Sequence, residues 1–443
     1  MNCLILAAGQ GSRLSGHDEP KPLVPVGGLP ILERVILAAR AAGATSFYVV
    51  TGCHGERLHT FLEDLRRRRS LAITTLENGV WERGNGSSVL RAQDLLHEPF
   101  LLLMGDHLVS KELLASLVNT GLQDADIRLA VDRTLIANHL VDPEDATRVL
   151  VAADGKITDI GKGITPYNAY DTGCFLCTPR IFPALEEAAR SGDSSLSAGV
   201  RLLAKRGKVW AHAVDRGYWV DVDTPAQLAK AERLTRESLR KATDGPISHY
   251  VNRPLSLRLS WVLARWGTPP GVLSFLAFLV AGVGAALMFL SGYLPLALGG
   301  LLVQLSSILD GCDGEVARLQ ERTSAFGGWL DSILDRYADA LILVGLTYHA
   351  YRERPGWLVL SIGLAATVGA LINTYSAARF DDLLDGTAFR GRRPPLRIGR
   401  DIRLFVVFVG SLLNLPLATL AFLALLMNGE VARRAVILRT RIR

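Results

Sequence analysis

The spacing of hydrophobic positions divides the chain into two parts. A short apolar run at 2–8 and the segment 100–106, which ends in Asp106, predict buried strands, with a helical pattern over 30–42 between them. Long uncharged runs dominate the C-terminal part, and residues 272–291 contain no charged residue at all. A run of that length can cross the roughly 30 Å hydrocarbon core of a bilayer. The pattern predicts a soluble domain over 1–235, a linker over 236–267 and a transmembrane domain over 268–443.

The linker carries its own amphipathic pattern. Residues 226–245 form a charged stretch with helical character that ends in Asp-Gly. Within 251–266, apolar residues are interspersed with Arg258 and Arg265. This mixture predicts a helix that lies in the membrane interface, and a plain connecting helix is the alternative. The apolar residues of this helix are Leu255, Leu257, Leu259, Trp261, Val262 and Trp266.

Charge and cysteine content narrow the functional class. The chain has 443 residues and a formal net charge of +6, and its arginines crowd residues 390–403 and 433–443. Beside long apolar runs, these clusters indicate the cytosolic side of a membrane rather than a nucleic-acid site. Cys174 and Cys177 form a C-x-x-C without a second pair, which favours reduced structural thiols over a zinc site. The start of the chain lacks the basic region of a signal peptide.

A glycine-rich turn follows the first predicted strand. Gly9 and Gly11 come directly after NCLILAA, and Ser12, Arg13 and Lys21 lie just downstream. Such a turn lets backbone N–H groups approach phosphate oxygens, while the Arg and Lys supply positive charge. The turn is not a Walker A loop, because no Gly-Lys-Ser/Thr ends it.

Acidic residues recur where predicted strands end. Asp106 closes the run FLLLMGD, and Asp221 and Asp223 lie in YWVDVDTP. Open α/β sheets bind ligands at the carboxyl ends of their strands, and carboxylates are ligands that Mg²⁺ prefers. Either residue of the second pair could instead cap the helix that begins near Pro225.

Taken together, LAAGQGSRL, PKPLVPVGG and PILER resemble the sugar-phosphate nucleotidyltransferase family over about residues 1–235. The resemblance implies a Rossmann-like α/β domain in which Lys21 lies between the triphosphate and the incoming phosphate. It implies Asp106 and Asp221 as metal ligands, with Asp223 as the alternative, and a second loop, 77–88, around base and ribose. That loop could also be a simple hairpin. The implied nucleotide-binding residues are Leu6, Ala7, Ala8, Gly9, Gly11, Ser12, Asn78, Gly84, Asn85, Gly86 and Ser87, with Arg13 beside Lys21 in the catalytic loop.

Other segments are similar to one branch of this family, the inositol-1-phosphate cytidylyltransferases. They are MGDH, GNGSS, NHLVDPEDATRV and DIGKGI followed by YNAYDTGCF. The resemblance implies that Asp171 holds inositol hydroxyls and that Lys162 holds the phosphate, although either could be a surface or capping residue. Phosphocholine cytidylyltransferase is the nearest competitor. Choline requires an aromatic cage, and the sequence does not identify one.

The membrane part contains four acids in regular spacing. Asp310 and Asp313 are three residues apart, and Asp331 and Asp335 are four apart, so that each pair shares a helical face. Apolar runs flank the segment, and the polar residues 319–326 can join two antiparallel helices. Four carboxylates brought together in a low dielectric must bind divalent cations or be partly protonated.

The full pattern, D-x2-D-G-x2-A-R-x8-G-x3-D-x3-D, is identified as the signature of the CDP-alcohol phosphotransferase family over about 247–438. The resemblance implies an all-α domain of six transmembrane helices and a pair of Mg²⁺ or Mn²⁺ ions. Asp310, Asp313 and Asp331 would ligate metal, and Asp335 would be a ligand or the general base. The implied CMP-binding residues are Gly314, Ala317 and Arg318.

Charge placement supports a multi-pass protein of the cell membrane with both termini in the cytosol. Six spans put the arginine clusters inside, leaving only Arg352, Glu353 and Arg354 among the clearly charged loops outside. The stretch 404–428 must then contain two helices that turn near 414–416. Arg379, Arg400 and Arg403 return to the cytosolic face, where they bind the acceptor's phosphate or simply anchor the helices.

The two resemblances fit each other chemically, because one half makes a CDP-alcohol and the other consumes it. They imply that CTP and inositol-1-phosphate give CDP-inositol and pyrophosphate. CDP-inositol and a second inositol-1-phosphate then give phospho-di-inositol phosphate and CMP, in di-myo-inositol phosphate synthesis. A phospholipid synthase with a lipid acceptor and an inactive membrane scaffold are the alternatives. The membrane family also implies a homodimer.

Overall fold

The computed structural model describes residues 1–10, 20–133, 146–215, 217–240, 245–385 and 398–441. The chain forms two compact units, Met1–Thr235 and Arg236–Arg443. Gly11 and Ser12, predicted to bind nucleotide, and Arg13, predicted to be catalytic, lie outside the described residues.

The first unit is a Rossmann-like α/β domain with a nine-stranded mixed sheet. The strands of this unit are β1 (Asn2–Ala7), β2 (Pro25–Val26), β3 (Leu29–Pro30), β4 (Ser46–Thr51), β5 (Ala72–Glu77), β6 (Phe100–Met104), β7 (His107–Val109), β8 (Ile127–Asp132), β9 (Arg148–Val151), β10 (Ile157–Gly161), β11 (Ala169–Cys177), β12 (Val209–Ala213) and β13 (Trp219–Asp221). Of these, β2 pairs with β3 and β7 pairs with β13 in two small sheets, and the others form the nine-stranded sheet. Its helices are α1 (Ile31–Ala41), α2 (Gly55–Arg69), α3 (Asn85–Leu90), α4 (Lys111–Thr120), α5 (Ile181–Arg190), α6 (Leu196–Lys205) and α7 (Pro225–Ser238).

The strand order of the sheet explains where a site can form. β6, β1, β4 and β5 are neighbours and run parallel, whereas β11 pairs antiparallel with β6 on the other side. The chain leaves β1 for β4 on one flank and later enters β6 on the other. The carboxyl ends of β1 and β6 therefore border a switch point, where open α/β sheets place their ligands.

Helices cover both faces of this sheet, so its central strands are buried on both sides. Cys3 and Ile5 of β1 pack into one hydrophobic core with α1. Leu4 and Leu6, which alternate with them, pack into a second core with α5 and α6. This burial explains the continuous apolar run at the start of the chain.

The second unit is helical. It contains α8 (Arg253–Arg265), α9 (Pro270–Met288), α10 (Tyr293–Leu319), α11 (Ala325–Glu353), α12 (Trp357–Asp385), α13 (Arg400–Leu412) and α14 (Pro416–Arg441). Among the described residues, three stretches are long and apolar enough to cross a membrane: Pro270–Met288, Tyr293–Leu319 and Trp357–Phe380. The predicted turn between the last two helices is present, since Asn414 adopts a φ of 56° between them.

The linker helix α8 has a polar face toward the protein. Arg253, Ser256 and Ser260 are buried, as are the apolar Leu257 and Trp261. The opposite face exposes large apolar side chains together with Arg258 and Arg265. These exposed apolar residues are Leu255, Leu259, Val262 and Trp266. The predicted apolar residues of α8 thus divide between the packed face and the exposed face.

Candidate active sites

The first site is a cavity of about 360 Å³ at the switch point of the sheet. Leu6, Ala8 and Gly9 line it where β1 ends, and Asp106 lines it just after β6. The side chain of Ala7, which was also predicted to contact nucleotide, packs into the hydrophobic core, because neighbouring side chains of a strand point to opposite faces. A nucleotide contact of Ala7 through its backbone stays a prediction.

Lys21 lies on the cavity wall and gathers three carboxylates. Its Nζ is 2.7 Å from Asp106 Oδ2 and 3.1 Å from Asp221 Oδ1, and it also contacts Asp223 Oδ1. Burial would lower the pKa of Lys21, but the three acids outweigh burial and raise it well above the usual range. Lys21 is therefore a fixed positive charge. Burial would likewise raise the pKa of Asp221, but His107 and Lys21 hold it well below its usual value.

His107 completes a cluster of candidate metal ligands with Asp106 and Asp221. One ligand atom from each of the three residues lies within 4.8 Å of the others. The ring is held by a 3.0 Å contact from Nδ1 to the carbonyl oxygen of Thr172. Burial disfavours the imidazolium, but Asp221 and then Asp106 raise the pKa of His107 to about 10. Once Nε2 gives up its proton, the carboxylate oxygens and the imidazole nitrogen fit a divalent cation.

The predicted sugar-phosphate ligands Lys162 and Asp171 both line the same cavity. Asp171 accepts a 2.7 Å hydrogen bond from the backbone N–H of Gly173. Burial raises the pKa of Asp171 to about 6, although that N–H group and the charge of His107 oppose the rise. Gly173 has a φ of 74°, and a Cβ there would lie 2.5 Å from His107 Nδ1, so this position requires glycine.

The predicted base-binding loop divides into lining and supporting residues. Asn85 lines the cavity, and its Oδ1 accepts a 2.8 Å hydrogen bond from Leu196 N. Asn78 is fully buried and donates to Ser87 Oγ at 3.1 Å and to Ser88 Oγ at 3.0 Å, so its side chain shapes the loop from behind. Gly84 and Gly86 pass close to the carbonyl oxygen of Ser194.

The second site joins α10 to α11. Asp310, Asp331 and Asp335 each bring a carboxylate oxygen to within 4.8 Å of the others. The sequence prediction was that Asp313 would join them, and among the described residues the cluster contains these three acids. Asp313 is buried one turn beyond Asp310 and accepts a hydrogen bond from Ser274 Oγ of α9. Two helices, α10 and α11, thus contribute the three clustered carboxylates, which fit a hard divalent cation, while α9 holds Asp313 beside them through Ser274.

Arg400 faces this cluster from α13. Its Nη1 lies 3.0 Å from Asp310 Oδ1 and 2.8 Å from Asp335 Oδ1, and its Nε lies 3.0 Å from Asp339 Oδ1. Arg403 is 3% exposed and lies one turn further on. It bonds Asp339 Oδ2 at 2.8 Å and the carbonyl oxygen of Ala370 at 2.6 Å. Arg379 is exposed and lies over the ring of Tyr375.

The predicted CMP-binding residues lie on α10 beside these acids. The backbone N–H of Gly314 donates to Asp313, and Arg318 Nη2 donates to the carbonyl oxygen of Leu239 at 3.3 Å. Ala317 is half-buried on the same helix.

Sequence reasoning missed His107 and Glu315. His107 directly follows Asp106, but its approach to Asp221 depends on the pairing of β7 with β13, more than 100 residues apart in the chain. Glu315 occupies a variable position of the acidic motif. It is fully buried and accepts hydrogen bonds from Arg253, Ser256 and Ser260. The polar spacing of α8 was the available signal for Glu315.

Two different protein families match the two parts of the chain. A model of the MobA-like NTP transferase domain matches residues 3–208, and a model of the CDP-alcohol phosphatidyltransferase family matches residues 268–383. Fold and sites thus define a nucleotidyltransferase joined to a CDP-alcohol phosphotransferase.

Relatives share this whole arrangement. The chain is 37% identical to the "Bifunctional IPC transferase and DIPP synthase" of Rubrobacter xylanophilus, covering 98% of this chain and 96% of that protein. It is 36% identical to the protein of the same name from Thermococcus kodakarensis, covering 97% and 95%. The chain therefore belongs to the family of bifunctional IPC transferase and DIPP synthase proteins. A solved structure, the inositol-1-phosphate CTP transferase from T. maritima, is 27% identical with a TM-score of 0.47, and the match covers 53% of this chain and 94% of that one.

Proposed function

We propose that the first unit joins CTP to inositol-1-phosphate and that the second unit transfers the CDP-activated product to a second inositol-1-phosphate. Two separate clusters carry this pairing: Lys21 with its three carboxylates in the first unit, and Asp310, Asp331 and Asp335 in the second. The chain that contains them aligns over nearly its whole length with IPC transferase and DIPP synthase proteins. Each unit then carries one of two consecutive reactions.

In the first reaction a phosphate oxygen of inositol-1-phosphate attacks the α-phosphorus of CTP, and pyrophosphate leaves. The backbone after β1 and the fixed charge of Lys21 surround the phosphates, so the chain contributes orientation and charge neutralisation. Asp171 binds hydroxyls of the inositol ring, and Lys162 binds its phosphate. Asn85 borders the nucleotide, while Asn78 fixes the loop that carries it.

Asp106, His107 and Asp221 would hold a divalent cation in this site, Mg²⁺ or Mn²⁺. When bound, such a cation neutralises charge on the phosphates. Asp223 is the partner of Lys21 in this arrangement and the alternative metal ligand. Burial and the neighbouring Asp221 raise the pKa of Asp223, so its carboxylate depends on the contact with Lys21.

In the second reaction a hydroxyl of the acceptor attacks the β-phosphorus of CDP-inositol, and CMP leaves. Asp335 takes the hydroxyl proton, and Arg400 holds the Asp335 carboxylate in place at 2.8 Å. Asp310, Asp313 and Asp331 would hold the metal pair, which neutralises the departing CMP when bound. Gly314, Ala317 and Arg318 border the CMP.

The arginines of α12 and α13 take different parts in this scheme. Arg400 faces the acids and meets the acceptor's phosphate. Arg403 is enclosed by Asp339 and the backbone of α12. Because Arg400 also contacts Asp339, this enclosure favours a role for Arg403 in positioning Arg400 through Asp339 over a direct contact between Arg403 and the acceptor. Arg379 lies exposed on α12 against the ring of Tyr375, and we propose it as a second contact for the acceptor's phosphate.

The second unit acts inside a membrane, with α9 to α14 as six spans and both termini in the cytosol. The exposed apolar side chains of α8 lie in the interface, and Arg258 and Arg265 meet anionic lipid head groups. A homodimer is the expected assembly.

The first reaction is tested by pyrophosphate release from CTP, with inositol-1-phosphate or phosphocholine as the second substrate. We expect release with inositol-1-phosphate, a loss of at least about 100-fold in Asp221→Asn, and full activity in Asp154→Asn, a matched change in an exposed turn. Release with phosphocholine alone would contradict the assignment.

The acceptor is tested by supplying CDP-inositol to the Asp221→Asn protein, whose second unit is intact. With inositol-1-phosphate as acceptor, we expect CMP and a phosphodiester that stays in the aqueous phase. Product that appears only with diacylglycerol, and that partitions into the organic phase, would establish the lipid-acceptor alternative. No CMP with either acceptor would favour an inactive scaffold.

A further inference from the structure

The first unit contains an imidazole where the predicted metal site required only carboxylates. His107 opens β7, and β7 pairs antiparallel with β13 so that His107 and Asp221 are directly opposite. Opposite residues of such a pair project to the same face of a sheet. The ladder therefore places the imidazole beside the Asp221 carboxylate, although the two residues are 114 positions apart in the sequence.

The contacts of the ring fix which nitrogen faces the acids. A carbonyl oxygen can only accept, so Nδ1 donates its proton to Thr172 O at 3.0 Å. Nε2 then points to Asp221 Oδ1 at 3.5 Å and to Asp106 Oδ1 at 3.8 Å. A histidine that ligates a metal typically donates its other ring N–H to a backbone carbonyl or carboxylate in this way.

The spacing of the donor atoms suits one octahedral ion. At metal–oxygen distances of about 2.1 Å, neighbouring ligands are about 3 Å apart and opposite ligands about 4.2 Å apart. The distances from Nε2 to the two carboxylates fall between these values. Asp106 also divides its oxygens, with Oδ2 toward Lys21 and Oδ1 toward His107, so both groups can use it together.

We propose that His107 Nε2 is a nitrogen ligand of the divalent cation in the first unit, together with Asp106 and Asp221. This inference rests on the proposed nucleotidyl transfer only in so far as the bound cation serves that reaction. An imidazole ligand shifts the preference of a site from Mg²⁺ toward Mn²⁺ and Co²⁺, since Mg²⁺ favours oxygen donors. This site therefore binds Mn²⁺ more tightly relative to Mg²⁺ than the all-carboxylate cluster of Asp310, Asp331 and Asp335.

The test is pulsed EPR of Mn²⁺ bound to the full-length protein in detergent, without substrate. Electron spin-echo modulation reports a nitrogen directly bound to Mn²⁺, and protein labelled with ¹⁵N only in histidine changes that modulation from ¹⁴N to ¹⁵N. We expect the histidine signal in wild type and in His212→Asn, a matched change on β12 of the same unit. We expect its loss in His107→Asn, with at least about a tenfold fall in the Mn²⁺ to Mg²⁺ affinity ratio.

The outcomes separate this proposal from the proposed function. If the wild-type protein binds Mn²⁺, the binding requires Asp106, and the spectrum shows no modulation from histidine nitrogen, then the assignment of His107 as a nitrogen ligand is overturned. The wild-type spectrum decides the question even if His107→Asn fails to fold. Because the measurement uses neither CTP nor inositol-1-phosphate, failure of the nucleotidyl transfer would leave its result unchanged.

Discussion

The buried pair of Arg253 and Glu315 offers a quantitative test of how the second site is held. Glu315 is fully buried on α10, two residues after Asp313, and Arg253 on α8 is 6% exposed. Arg253 Nη1 lies 2.5 Å from Glu315 Oε1, and the hydroxyls of Ser256 and Ser260 lie 2.7 and 2.6 Å from its carboxylate. This polar contact fastens α8 behind the turn that carries Asp310 and Asp313.

Because both charges are buried, breaking this ion pair should have a large effect on the free energy of unfolding. Glu315→Leu leaves a buried guanidinium without its carboxylate, which should destabilise the second unit by about 3–5 kcal/mol. Glu315→Gln keeps the volume but loses the charge-assisted hydrogen bonds, a loss of about 1.5–3 kcal/mol. The double variant Arg253→Met with Glu315→Leu removes both charges together. It should recover most of the stability, to within about 1 kcal/mol of wild type.

The assay is thermal inactivation of CMP release, with pyrophosphate release by the same protein as the internal control. We expect the single variants to lose CMP release at lower temperature while pyrophosphate release persists. Arg258→Met, on the exposed side of α8, is the matched control and should behave as wild type. Additive losses in the double variant would refute the reasoning, because they would mean that the two residues do not stabilise each other.

Three further predictions concern individual residues. Burial raises the pKa of Asp171 from 3.8 to about 6, so the charged carboxylate destabilises the fold above pH 6, whereas the protonated group below pH 4 does not. Asp171→Asn should therefore add about 2 kcal/mol to the free energy of unfolding at pH 8 and lose that gain as the pH falls to 4, as thermal melts would show. The same variant should raise the KM for inositol-1-phosphate in kinetic assays. Gly173→Ala should reduce pyrophosphate release at least about tenfold by displacing the His107 ring, and unchanged activity would exclude the close approach. Arg403→Met should destabilise the second unit by about 3 kcal/mol with the KM for the acceptor within about twofold, whereas a large rise in that KM at unchanged stability would establish direct contact.

Local sequence patterns predicted the features that depend on short-range geometry. Helical spacing was enough to place Asp310 and Asp313 on one face and Asp331 and Asp335 on another, because i,i+3 and i,i+4 positions are neighbours on any helix. The apolar run before Gly9 indicated a buried strand because a strand covered on both faces is apolar without interruption. The two-helix interpretation of 404–428 followed from charge placement, and the structure has a turn there.

Features that depend on long-range contacts were not predictable in this way. The approach of His107 to Asp221 requires the β7–β13 ladder, and a single sequence does not reveal strand pairing over that distance. The pattern of α8 predicted a membrane-interface helix with Arg258 and Arg265, but it did not indicate that Arg253, Ser256 and Ser260 contact Glu315, which occupies a variable position in the motif. Asn78 lies in a polar, glycine-rich segment typical of a ligand-binding loop, but its side chain is enclosed and donates hydrogen bonds to Ser87 and Ser88.

The central claim, that one chain makes a CDP-alcohol and then consumes it, is tested most directly by phosphorus NMR. Purified protein in detergent is incubated with CTP, Mg²⁺ and inositol-1-phosphate, beside the Asp335→Asn variant. We predict pyrophosphate, CMP and a water-soluble phosphodiester in the wild type, and only CDP-inositol with pyrophosphate in the variant. The absence of CDP-inositol from both samples would contradict the inositol assignment. The phosphodiester appearing in the variant would contradict the role of Asp335.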